Sequence, residues 1–138
     1  MEEVKSVIKE LLQKHNALTL ASTGGDYSPW LLSVYFAFEG DYIYFFLETA
    51  GKTFQNIQKN KKVAIALSEN DASKDFLQAY GEVEILQQSE SDKVRQLLLS
   101  KMPWFMTYTP VVPIRLKIQK YFVSSFSRNW FPARVLEV

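Results

Sequence analysis

The six residues Glu48–Thr53, ETAGKT, hold the best material for chemistry in this chain: two hydroxyls, a glycine and one lysine, placed directly before a helical pattern. Free amides at a helix start attract anions, and an ammonium and hydroxyls beside them complete a phosphate site. The nucleotide-binding pattern G-x-x-x-x-G-K-[ST] fails, because the residue five before Gly51 is Phe46. A nucleoside triphosphatase is thereby disfavoured. The plainer alternative is a capped helix carrying a solvated lysine, and the residue types alone leave both readings open.

Other chemistries lack their parts. With no cysteine and one histidine, His15, thiolate catalysis and thiolate metal sites are excluded. A serine triad would have to use His15 near the end of a terminal helix, and no G-x-S-x-G elbow exists. There, His15 reads as a helix-end residue whose cationic form suits the C-terminus. The carboxylates lie in helices and turns at solvated spacings and suggest no catalytic pair.

The elements that position Lys52 follow from periodicity. Val4, Val7, Ile8, Leu11 and Leu12 recur at helical spacing. Ala17–Thr23, Leu31–Phe38 and Asp41–Glu48 read as three strands joined by hairpins, at Gly24-Gly25-Asp26 and at Glu39-Gly40. Tyr42, Tyr44 and Phe46 share one face of the third strand, with Ile43, Phe45 and Leu47 on the other. Both faces therefore need cover. Thr49 is the expected cap of a helix buried through Phe54 and Ile57.

Val63–Leu67 is the fourth strand and Phe76–Leu86 a long fifth, with a bulge expected at Gly81. A helix with Val94, Leu97 and Leu98 on its apolar stripe then ends near Pro103. Trp104–Tyr108 forms an aromatic loop, Ile114–Ile118 alternates as a half-exposed strand, and Phe131–Val138 is the last strand. The sum is a mainly β fold, a β-barrel of seven strands with three peripheral helices, in one domain over 1–138.

Hydrophobic residues make up 47% of the 138 and aromatics 14%, more apolar surface than one small barrel hides. A homodimer is the simple way to cover the excess. A net charge of +1 predicts no general attraction to nucleic acid or acidic membranes. The run Lys59–Lys62 reads as a solvated helix exit, and a nucleic-acid-binding barrel is the weakest of the functional readings. No window is long and apolar enough to span a membrane, and the charged start MEEVKSVIKE is unlike a signal peptide, so a cytoplasmic location is expected.

Leu18–Ser22, the glycine turn with Pro29, Ser33–Phe36, Asp41–Phe45, Lys52, Asn56-Ile57 and Asn60–Val63 together resemble the pyridoxamine 5′-phosphate oxidase-like FMN-binding split barrels. The likeness is close over Ala17–Leu86 and looser beyond, where Pro113–Leu116 and the ending near Trp130 resemble an uncharacterised bacterial branch. It implies a homodimeric split barrel with FMN in the groove between subunits. The implied phosphate contacts are Lys52 and Thr53 beside Thr49. The implied ring and ribityl contacts are Ser33, Val34, Tyr35, Phe46 and Leu47, with Trp104 and Trp130 as cover from the facing subunit.

The chain departs from the family's pattern at two places. The second strand begins Trp30-Leu31-Leu32 without the usual arginine, and the phosphate loop has one lysine instead of a basic pair. Arg115, Arg128 and Arg134 are candidates to substitute. His15 lies outside the region of the family's Arg-His substrate pair, which disfavours pyridoxamine phosphate oxidase activity itself. The implied function is an FMN-dependent oxidoreductase acting on a small molecule, with the flavin supplying the redox chemistry. The alternative is a binding protein on the same barrel that has lost tight FMN binding and holds haem, F420 or another flat ligand.

Overall fold

A computed structural model describes residues 1–138. Helix α1 (Glu2–Lys14) lays Val4, Val7, Ile8, Leu11 and Leu12 on the barrel. A helix of this length is marginal alone, and this buried stripe stabilises it. Eight antiparallel strands follow: β1 (Ala17–Ser22), β2 (Trp30–Tyr35), β3 (Ala37–Glu39), β4 (Tyr42–Glu48), β5 (Lys62–Leu67), β6 (Phe76–Ile85), β7 (Val111–Ser125) and β8 (Trp130–Glu137). Helix α2 (Lys52–Lys59) joins β4 to β5, and α3 (Ser91–Lys101) lies between β6 and β7. No helix is long and apolar enough to cross a membrane.

The sheet runs β2-β1-β5-β6-β7-β4-β3, with β8 paired to the far half of β7. The expected second strand is in fact two. Phe36 and Ala37 are both buried, which breaks the in-out alternation of Trp30–Tyr35. At that break the chain leaves β1, its partner through Tyr35, and pairs with β4 from Ala37 onward. Seven expected strands become eight.

The two faces of β4 find different cover. Ile43, Phe45 and Leu47 enter the main core with α1, β6 and β7. Tyr44 and Phe46 join a smaller core with Val94, Leu98 and Met102 of α3 and its end. The expected bulge is present: the β6–β7 register shifts between Tyr80 and Gly81. A Cβ on Gly81 would stand 2.0 Å from the Lys117 carbonyl oxygen. Helix α2 is capped by Gly51 and not by Thr49, with no side-chain cap bond. The amide and hydroxyl of Thr49 instead both face the Pro110 carbonyl, tying this loop to the end of the aromatic loop.

His15 is the C-cap of α1, but it does not supply the cation expected there. Burial, first, and then Lys14 hold its imidazole below the usual histidine range. The cation comes from α3, whose Lys101 ammonium donates to the carbonyls of Leu12, His15 and Phe36.

Candidate functional site

Strand β3 is short, pairing only with Tyr42–Tyr44 of β4. Beyond it, Phe45–Glu48 are paired to β7 on one side alone, facing the outer edge of β2, which is paired only to β1. Strands β2 and β4 approach there without forming a ladder. The seam is a groove made of two adjoining cavities of about 440 and 300 Å³, which share Ser33, Val34, Phe46 and Glu48.

The narrower cavity runs to the start of α2, where Gly51, Lys52 and Thr53 line it beside Trp30 and Leu47. The first amides of a helix have no intrahelical acceptor, and no side chain caps these. Thr53 is 97% buried and its hydroxyl has no hydrogen-bond partner. A buried unpaired hydroxyl costs about 1–3 kcal/mol, so an acceptor arriving here would relieve a standing penalty. The Lys52 ammonium lies over the rings of Tyr27 and Trp30, 4.9 and 5.3 Å from their centroids.

The wider cavity is walled by Tyr35, Phe46 and Phe105, with the hydroxyls of Thr107, Tyr108 and Thr109 at its rim. Phe46 and Phe105 stack at 6.1 Å with 19° between their planes, a flat apolar wall. Trp104 meets Tyr35 edge-on at 4.9 Å, so it abuts the groove from its own chain.

Seven of the residues implied by the resemblance therefore line one seam: Ser33, Val34, Tyr35, Phe46, Leu47, Lys52 and Thr53. Thr49 lies beside it, bound to Pro110. Trp130 is elsewhere, 6% exposed in the main core, where its ring packs among β7 and β8. The three candidate arginines are also placed elsewhere. Arg115 pairs with Glu84 at 2.6 Å, Arg128 with Asp75 at 2.8 Å, and Arg134 lies over Trp130. The arginine near the groove is Arg95 of α3, stacked 4.8 Å from the Phe46 centroid and donating to Thr107 Oγ1 at 3.3 Å. It carries no local signal, because on a helix it reads as an ordinary polar-face residue. Tyr27 likewise carries no site signal in the sequence, Asn56 enters there only through the resemblance and with no role at the site, and Phe105 stands out only as part of an aromatic loop.

An antiparallel barrel left open at one seam, with a groove along that seam, defines the split-barrel class. Residues 4–110 match the sequence profile of the pyridoxamine 5′-phosphate oxidase family, and the chain belongs to that family. No curated protein sequence matches it. Among solved structures it is similar to ChuZ of Campylobacter jejuni, with a TM-score of 0.82 and 14% identity over 99% of this chain and 60% of that one. It is similar to HutZ, described as the haem storage protein of Vibrio cholerae, with a TM-score of 0.69 and 18% identity over 86% and 93% of the two chains. An F420 reductase matches with a TM-score of 0.67 and 22% identity over 82% and 94%. At these identities the likeness is one of fold.

Proposed function

We propose that this chain is an FMN-binding flavoprotein that works as a homodimer and acts as an oxidoreductase on a small molecule. The observation that carries the reading is Thr53 Oγ1, buried without a partner at the uncapped start of α2, beside Lys52. That set fits a phosphomonoester: amide donors, one hydroxyl donor, one ammonium and the positive end of a helix. A flavin would supply hydride transfer at its N5 atom. The chain's part is to hold the phosphate with the amides of Lys52 and Thr53, the Lys52 ammonium and the Thr53 hydroxyl, with Gly51 leaving room beside them, and to flank the ring with Val34, Phe46 and Leu47. Tyr35 and Tyr108, which line the groove, and Trp104 and Met106 beside them are exposed. A second copy of the chain covering these residues would exclude water from the groove.

A second reading, a binding protein for another flat ligand such as haem or F420, draws on one feature. The charged side chains lining the groove are Lys52 and Glu48, with no arginine at the phosphate end. Two of the similar structures are described as a haem storage protein and an F420 reductase.

Titration of the purified chain with FMN, riboflavin and haem, followed by fluorescence and visible spectra, separates the two. FMN is expected to bind more tightly than riboflavin, and Lys52→Ala to weaken FMN by about ten- to a hundredfold, the worth of a charge-assisted phosphate contact. Haem binding with no flavin binding selects the second reading.

A further inference from the structure

Lys52 and Asn56 stand one turn apart on α2, and a second connection joins them through the loop between β1 and β2. Asn56 is fully buried, and its side chain is spent on that loop and the strand before it. Its Oδ1 accepts from the Gly25 amide at 2.7 Å, and its Nδ2 donates to the Tyr27 carbonyl at 2.9 Å and to Ser22 Oγ at 3.0 Å. Gly24 takes a φ of +117°, which favours glycine. A Cβ on Gly25 would lie 2.4 Å from Asn56 Oδ1, so the contact needs glycine there too.

The loop docked in this way presents the Tyr27 ring to Lys52. Tyr27 and Trp30 meet edge to face at 5.8 Å, and the ammonium sits against both. It makes no ion pair, so these rings are its partners in the free protein. A lysine has three ammonium donors and a flexible stem. Ring faces attract the cation electrostatically and leave its outward hydrogens available. A lysine held in place before the ligand arrives loses less freedom on binding.

We propose that Asn56 is a positioning residue for Lys52. By fixing the Gly24–Tyr27 loop it builds an aromatic rest for the ammonium, and so sets how strongly the groove prefers a phosphorylated ligand over its dephosphorylated form. This rests on the flavin reading above for the identity of the ligand. The placement of the lysine itself does not.

The test uses the full chain, its Asn56→Ala variant and a Tyr27→Leu variant, whose substituted ring is half exposed and away from the core. In assigned proton–carbon spectra of the unliganded protein, the Lys52 ε-methylene protons are expected to be shifted upfield by the rings, and both variants to return them towards ordinary lysine values. In parallel, the ratio of FMN to riboflavin affinity is expected to fall about three- to tenfold in both variants, from loss of the ring contacts and of their ordering, while riboflavin affinity stays unchanged. Tyr27→Leu keeps the test open where Asn56→Ala does not fold. A Lys52 signal with no upfield shift in the wild-type chain overturns the proposal, as does a shift or an affinity ratio that Tyr27→Leu leaves unaltered. If the wild-type chain binds neither flavin, the flavin reading is what has failed, and the unliganded spectra still decide whether the loop holds Lys52.

Discussion

The Lys101 ammonium at the end of α3 donates to the carbonyl of His15 at the end of α1. The same ammonium lies 3.6 Å from the Phe36 ring centroid and also reaches the Phe36 carbonyl, at the break between β2 and β3. One side chain from late in the sequence therefore satisfies orphan carbonyls of a helix at its beginning and of the strand crossover that opens the seam.

Lys101 gives a pH signature. Burial pushes its ammonium down to about 8, against 10.5 for a free lysine. Between those values the unfolded chain holds a proton that the native state has released, so this group's contribution to stability rises with pH across that window. The stability difference between wild type and Lys101→Met, from urea unfolding at pH 7.5 and 9.5, is expected to shift in favour of wild type at the higher pH. An unchanged difference would count against it. Burial also raises the Tyr121 hydroxyl, which works in the opposite sense above pH 10 and is avoided by these conditions.

His15 acts at the other end of the scale. Its pKa is lowered by burial, then by Lys14 and Lys101, with Glu69 opposing. Below 6.5 the unfolded chain takes up a proton that the native imidazole resists, so stability falls as pH drops through that point. The stability profile of His15→Gln between pH 7 and pH 5 is expected to be flatter than that of wild type. Parallel profiles would refute this.

Thr53→Val removes the unpaired hydroxyl while keeping the shape. The free protein is expected to gain about 1–3 kcal/mol of stability in urea unfolding, because a buried unsatisfied group is gone. FMN affinity is expected to fall about tenfold, with riboflavin unaffected. A stability loss would mean that the hydroxyl is paired in the free protein.

Gly81→Ala places a methyl against backbone and not against a yielding side chain, with Lys117 O at 2.0 Å and Ile118 Cα at 3.0 Å. The β6–β7 bulge must open to admit it, at a cost of about 2 kcal/mol or more. Urea unfolding measures this, and a change below about 0.5 kcal/mol would show that the bulge gives way freely.

Features written in short-range pattern are legible in the sequence alone. The stripe of α1, the two-faced β4, the Glu39-Gly40 hairpin and the Gly81 bulge each depend on residues a few positions apart, whose spacing states which face is buried. Lys52 and Thr53 can be placed at a helix start for the same reason. The cap cannot: Thr49 has the right chemistry, but Pro110, 61 positions on, takes its hydroxyl and leaves Gly51 as the cap.

Residue types and their spacing were enough to read the order of most helices and strands, and to find the local anion-binding material around Lys52. Long-range packing settled that β2 ends at Tyr35, because only the choice of partner strand distinguishes one strand from two. It also decided that Trp130 belongs to the core, that Arg95 and not Arg115, Arg128 or Arg134 stands near the groove, and that Tyr27 and Trp30 rest against Lys52. Each of these is a contact between residues distant in sequence or a choice between equally apolar faces. Periodicity within one segment carries no information about which other segment will cover it.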